Sequence, residues 1–116
     1  MDKLDELRLR YLRSLPQKGD DIRDQWDLLR QRPHERALLV DLHQQVHRLS
    51  GSAPAYGFDA IGALARPLDQ RLAEWLRAEE DERDAVTVLV GALAAPVAAL
   101  VAALRLAGEA EAPPPV

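Results

Sequence analysis

Apolar residues along this chain recur every three or four positions and almost nowhere alternate, and that spacing restricts it to packed helices. The clearest run is Leu39, Leu42, Val46, Leu49 and Ala53, which share one helical face. Ile61, Leu64, Leu68, Leu72 and Trp75 form a second stripe, and Ile22, Trp26 and Leu29 a third. Leu4, Leu7 and Tyr11 mark a short opening helix that Pro16 and Gly19 separate from the stripe at Ile22. Pro33 ends that stripe, and the next helix begins near His34 or Glu35. Pro54 is expected to bend the last turn of that helix and Gly57 to stop it.

One segment tests the bundle reading. Between Asp84 and Arg105 the run AVTVLVGALAAPVAALVAAL carries no charge, and its length suffices to span a bilayer. Its large residues Val86, Leu89, Leu93, Val97, Leu100 and Leu104 line one side, while Ala92, Ala95, Ala99, Ala102 and Ala103 fill the other. A stripe backed by small residues suits a helix packed in a bundle, whereas a lipid-facing span carries bulk all round. No membrane association is expected. Pro96 should kink this helix or open its hydrogen-bond ladder locally.

Short connections between long amphipathic helices favour antiparallel neighbours. The expected fold is therefore all-α: an up-down-up-down antiparallel four-helix bundle with an additional short N-terminal helix packed across one end. The bundle domain should occupy residues 1–107. Residues 108–116, GEAEAPPPV, read as a flexible Pro/Ala-rich tail or linker.

Composition enters chiefly by exclusion. The 116 residues suit one domain with a continuous core, and the absence of cysteine excludes disulfides and thiolate metal sites. The opening MDKLDELRLR alternates charges with leucines and lacks a secretory apolar stretch, so a cytoplasmic location is expected. Net charge is −4 with both signs interspersed, which leaves no basic face for nucleic acid. Neither a glycine-rich phosphate loop nor a metal-binding carboxylate cluster is present, so ATP binding is not supported.

The stretch VHRLSGSAPAYG, residues 46–57, raises a local question. His47 falls about 120° from the centre of its helix's apolar stripe and should face solvent. Gly51 lies on the same side one turn later, although glycine costs roughly 1 kcal/mol against alanine in a helix. Helical side chains lean toward the N-terminus, so a larger residue at 51 would lie over the imidazole. The glycine clears room for an approach to His47, and Ser52 and Ala53 keep the next turn small.

In these residues the chain resembles the histidine-containing phosphotransfer (Hpt) domains. The family pattern is a histidine, a leucine two on, usually a lysine three on, a glycine four on, small residues, and a second glycine ten on. His47, Leu49, Gly51, Ser52, Ala53 and Gly57 stand at those places, with Ser50 where the lysine would be. The family then carries a leucine and an acidic residue or glutamine on the next helix, and Leu68 and Asp69 match. The resemblance implies that His47 is a phosphoacceptor and that Asp69, a shorter carboxylate than the family's usual glutamate, orients its imidazole. A carboxylate on Nδ1 fixes the tautomer and leaves Nε2 its lone pair. It also implies a response-regulator receiver domain or hybrid sensor kinase as partner, docking over Gln44, Arg48, Gly51, Ala55 and Arg66. Magnesium would come from the receiver, and the chain itself would be a monomeric phosphocarrier of bacterial signalling without cofactor, metal or autokinase activity. Ser50, Arg48 and Arg66 are candidate phosphate contacts. The alternative is a degenerate Hpt-like module that binds a receiver or other partner without transfer.

Plainer readings stand beside these. His43 and His47, four apart, are half of a zinc site, but a structural site needs about four ligands and Asp69 is the only obvious third. HERAL lacks the second histidine of a metalloprotease, and His34 beside Pro33 reads as a helix start. Asp69 is alternatively a flank carboxylate paired with an arginine. Trp26 and Trp75 fit packing, and AEEDERD fits a solvated turn.

Overall fold

The computed structural model describes residues 2–110, apart from the Ala110 side chain. Four helices account for nearly all of it: α1 (Lys3–Gln31), α2 (Arg36–Ala55), α3 (Asp59–Arg77) and α4 (Val86–Ala110). Each packs on two others, α1 on α2 and α4, and α3 on α2 and α4. Contacts run in opposite order along three of these pairs. Arg8, early in α1, donates to the Tyr56 carbonyl after α2, while Gln25, late in α1, donates to the Leu38 carbonyl early in α2. Arg36 reaches the Leu76 carbonyl late in α3, and Arg105 bonds Asp20 across α1 and α4.

The separate opening helix is not found. α1 runs unbroken through Pro16 and Gly19, so Leu4, Leu7 and Tyr11 share one element with Ile22, Trp26 and Leu29. Pro16 cannot donate to the Leu12 carbonyl, and its ring crowds that carbonyl. Packing against α4 offsets the loss. Gly108 lies so close to Pro16 that any Cβ there would collide with the proline ring, and a Cβ at Gly19 would sit 3.2 Å from Leu104 Cβ. The interruption signals are thus the contact surface of two close helices. Leu4 and Leu7 stay exposed, so the first turns are held instead through Tyr11, which stacks on Tyr56 at 4.5 Å and meets Phe58 at 5.7 Å.

Elsewhere the stripes sit in one core with a small rotation. Leu39, Leu42, Val46, Leu49 and Ala53 are buried as expected. On α3 the buried line is Ile61, Gly62, Ala65, Leu68 and Leu72, with Leu64 at the surface and Trp75 only partly covered. Small residues replace Leu64 there because Pro54 of α2 presses on Gly62, leaving 2.5 Å to a hypothetical Cβ. α2 ends as its glycine demands: Gly57 has φ +86°, and the Phe58 and Gly57 amides cap the Ala53 and Pro54 carbonyls.

α4 is long and apolar enough to cross a membrane by length and composition. Its large-residue stripe is nevertheless core, with Leu89, Leu93, Val97, Leu100 and Leu104 all buried. Of the expected tail, residues 108–110 are the last of α4, because Gly108 is where that helix meets Pro16. Residues 111–116 lie outside the described residues.

Candidate functional site

The α2–α3 pair is the platform for the site, and its closeness is set by Gly62, Ala65 and Pro54. His43 and His47 are one turn apart on α2, and Asp69 faces them from α3. The Asp69 carboxylate accepts from His47 Nδ1 through both oxygens at 3.1 Å, and from His43 Nε2 at 2.8 Å through Oδ1. The single hydrogen of Ser50 Oγ is shared between two acceptors, the His47 carbonyl at 2.8 Å and Asp69 Oδ2 at 3.3 Å. An ionised carboxylate can only accept, so these contacts place hydrogens on His47 Nδ1 and His43 Nε2.

Exposure divides the three residues. The Asp69 side chain keeps 16% of its surface, His43 23% and His47 68%, so only the His47 ring stands in solvent, with Nε2 turned from the carboxylate. Burial by itself would raise the Asp69 pKa. Hydrogen bonds from His47 and His43, the charge of His47 and the Ser50 hydroxyl outweigh it and hold the carboxyl below its ordinary value. The arrangement therefore keeps a carboxylate ionised beside an imidazole whose far nitrogen is free to react.

Gln44, His47, Arg48, Gly51 and Ala55 are all exposed at three- and four-residue intervals, which makes them one strip along α2. A Cβ at Gly51 would meet nothing within 4 Å, so the space beside His47 is open. The expected phosphate contacts are distributed differently. Arg48 Nε bonds back to the Gln44 carbonyl, and the side chain lines a groove toward α1 with Lys18 and Gln45. Arg66 is exposed on α3, outside the lining of the groove that holds His43 and His47. Ser50 has its hydroxyl committed to Asp69 and the backbone. The groove at the histidines is lined instead by Asp69, Gln70, Ala73, Glu74 and Arg77.

Two of its residues were not singled out for these places from sequence. His43 shares the Asp69 carboxylate, and Arg77 is the groove's cation. The signal for Arg77 was available, because Asp69, Ala73 and Arg77 follow one another at four-residue spacing on α3. His43 is grouped with His47 and Asp69 in the sequence only as a candidate zinc ligand, through its i, i+4 spacing to His47. The three side chains also bring potential metal-ligating atoms within 4.8 Å of one another.

Compared with known proteins, residues 6–109 match a family model described as Hpt domain, nearly the whole chain. No curated protein and no solved structure matches.

Proposed function

The chain belongs to the Hpt domain family, and from that premise we propose that His47 is its phosphoacceptor, exchanging a phosphoryl group with receiver-domain aspartates. Hpt domains are phosphocarrier modules of two-component signalling rather than catalysts, and they interact with receiver domains and kinases. The observation that carries the assignment is the pair of 3.1 Å contacts between His47 Nδ1 and Asp69 on an imidazole 68% exposed.

In the proposed step the Nε2 lone pair attacks phosphorus of a receiver's aspartyl phosphate. The N–P bond forms as the P–O bond to the acyl oxygen breaks, and the aspartate leaves as a carboxylate. Positive charge grows on the imidazole, and the Nδ1 hydrogen directs it toward Asp69, which stabilises it at 3.1 Å. Magnesium belongs to the receiver's pocket. Asp69 acts as a positioning residue, and Ser50 and His43 hold its carboxylate. The α2 strip of Gln44, Arg48, Gly51 and Ala55, with Arg66 of α3, is the proposed docking surface, and Arg77 adds a second cation along the groove at the histidines.

The same reading takes the bundle as up-down-up-down, on the support of the opposed contact order and the short connections. It takes the molecule as a cytoplasmic monomer. The test is phosphotransfer from a phosphorylated receiver. Label should appear on the wild-type chain, be acid-labile and base-stable, and vanish in His47→Gln. Retained labelling in His47→Gln would overturn the site. ATP and magnesium without a partner should give no label, and appreciable autophosphorylation would show a kinase activity instead.

A further inference from the structure

We propose that His43, His47 and Asp69 form a three-ligand binding site for zinc, and that zinc there withdraws the reactive lone pair of His47. Three ligands are too few for a closed structural site, but they match the open kind, in which water takes the fourth position. His43 Nε2 and His47 Nδ1 both lie against Asp69 Oδ1, at 2.8 and 3.1 Å, and all three ligand atoms fall within 4.8 Å of one another. In a tetrahedral zinc site with bonds of about 2.0 to 2.1 Å, neighbouring ligand atoms are about 3.3 Å apart. To reach that geometry the two N···O separations must widen slightly and both rings turn their nitrogens from the oxygen toward a common point, a small side-chain adjustment from separations that are already all within 4.8 Å.

Several features favour zinc over harder cations. Two imidazoles and one carboxylate suit it, whereas magnesium and calcium prefer all-oxygen sites. Both histidines share a helix already held rigid by the α2–α3 contact, so their spacing is set before any ion arrives. Oδ2 accepts from Ser50 Oγ at 3.3 Å and can keep that support while Oδ1 ligates. A lysine at position 50 would bring an ammonium to this carboxylate and oppose a dication. Serine does not. His47, 68% exposed, leaves an entry path and room for the water.

Zinc inverts the tautomers. Without it the hydrogens sit on His43 Nε2 and His47 Nδ1, the atoms facing the carboxylate. A neutral imidazole has one hydrogen and one lone pair, so ligation through those atoms moves the hydrogens to His43 Nδ1 and His47 Nε2. Nε2 then has no lone pair to attack phosphorus. This last consequence rests on the proposed phosphoacceptor role, while the site itself does not.

Imidazole nitrogen NMR of the full chain, titrated with zinc chloride, tests both parts without a receiver. His43 and His47 should move together, with the hydrogen of His47 passing to Nε2, and His34 should stay unchanged. In calorimetry His43→Ala should weaken zinc by more than the roughly 10- to 100-fold that losing an outer-shell partner costs, and His34→Ala should leave it unchanged. Circular dichroism confirms that the variants remain folded. Zinc that shifts His47 without His43, or that binds His43→Ala as tightly as wild type, overturns the proposal. Failure of phosphotransfer in zinc-free buffer would count against the phosphoacceptor role alone.

Discussion

At the scale of residues, one carboxylate organises the site. Because Asp69 touches both rings and Ser50, Asp69→Ala should release His47 from a single tautomer and slow phosphotransfer while the bundle stays folded. Loss of one orienting hydrogen bond is worth about 1 to 3 kcal/mol, or roughly five- to a hundredfold in rate where it is expressed in the transition state. Transfer kinetics and nitrogen NMR of His47 check this, and an unchanged rate with an unchanged tautomer would make Asp69 a bystander. Gly51→Leu should leave stability equal or greater, since a Cβ at 51 meets open space and leucine favours the helix by roughly 1 kcal/mol. Its bulk, leaning toward His47, should abolish transfer. A folded Gly51→Leu protein that accepts phosphate at the wild-type rate would refute the access role. Helical arithmetic sufficed to face His47 outward, and the family spacing pointed to Asp69 as its partner on the next helix. It did not reveal that His43 shares the carboxylate, because that depends on the distance between two helices, which no single-helix period encodes. Nor did it reveal that the Arg48 side chain turns back along its own helix.

Among the elements, α1 departs furthest from what its residues suggest in isolation. Proline and glycine read locally as a break, yet Pro16 and Gly19 are the residues that meet Gly108 and Leu104. Period and spacing identify which side chains are large, while close approach is decided by which are small, and only the folded pair shows the partner. α2, α3 and α4 were legible because each carries a sustained apolar stripe, and on α2 that stripe agrees with the start after Pro33 and the stop at Gly57. The N-terminal half of α1 depends on Tyr11, whose hydroxyl lies 2.6 Å from Ser52 Oγ of α2. Burial raises its pKa above the ordinary 10.0, and Tyr56 adds to the effect, although the Ser52 bond works against it. A raised folded pKa means the native state holds the proton more tightly than the unfolded chain. The associated stability is complete below pH 10 and is lost as pH climbs through the folded value. Denaturant unfolding followed from neutral to alkaline pH should show this decline, and Tyr11→Phe should flatten it. A Tyr11→Phe protein with the wild-type alkaline slope would place the titration elsewhere.

For the whole molecule, one core joins residues of all four helices, from Leu15 to Leu104, so unfolding should be a single event. Leu100, with no exposed surface, is central to it. Leu100→Ala should cost about 2 to 5 kcal/mol, and tryptophan fluorescence and far-ultraviolet circular dichroism should report the same shifted midpoint. Trp26 lies within that core and Trp75 against Arg83 at its margin, so separated transitions would reveal two cooperative units. The body measures 56 × 25 × 19 Å and presents His47 on a single strip of one helix. On the phosphocarrier reading, donor and recipient must then occupy the same ground in turn and never together. Each must leave before the next arrives, so residence time limits throughput, and tight docking would stall the relay it serves.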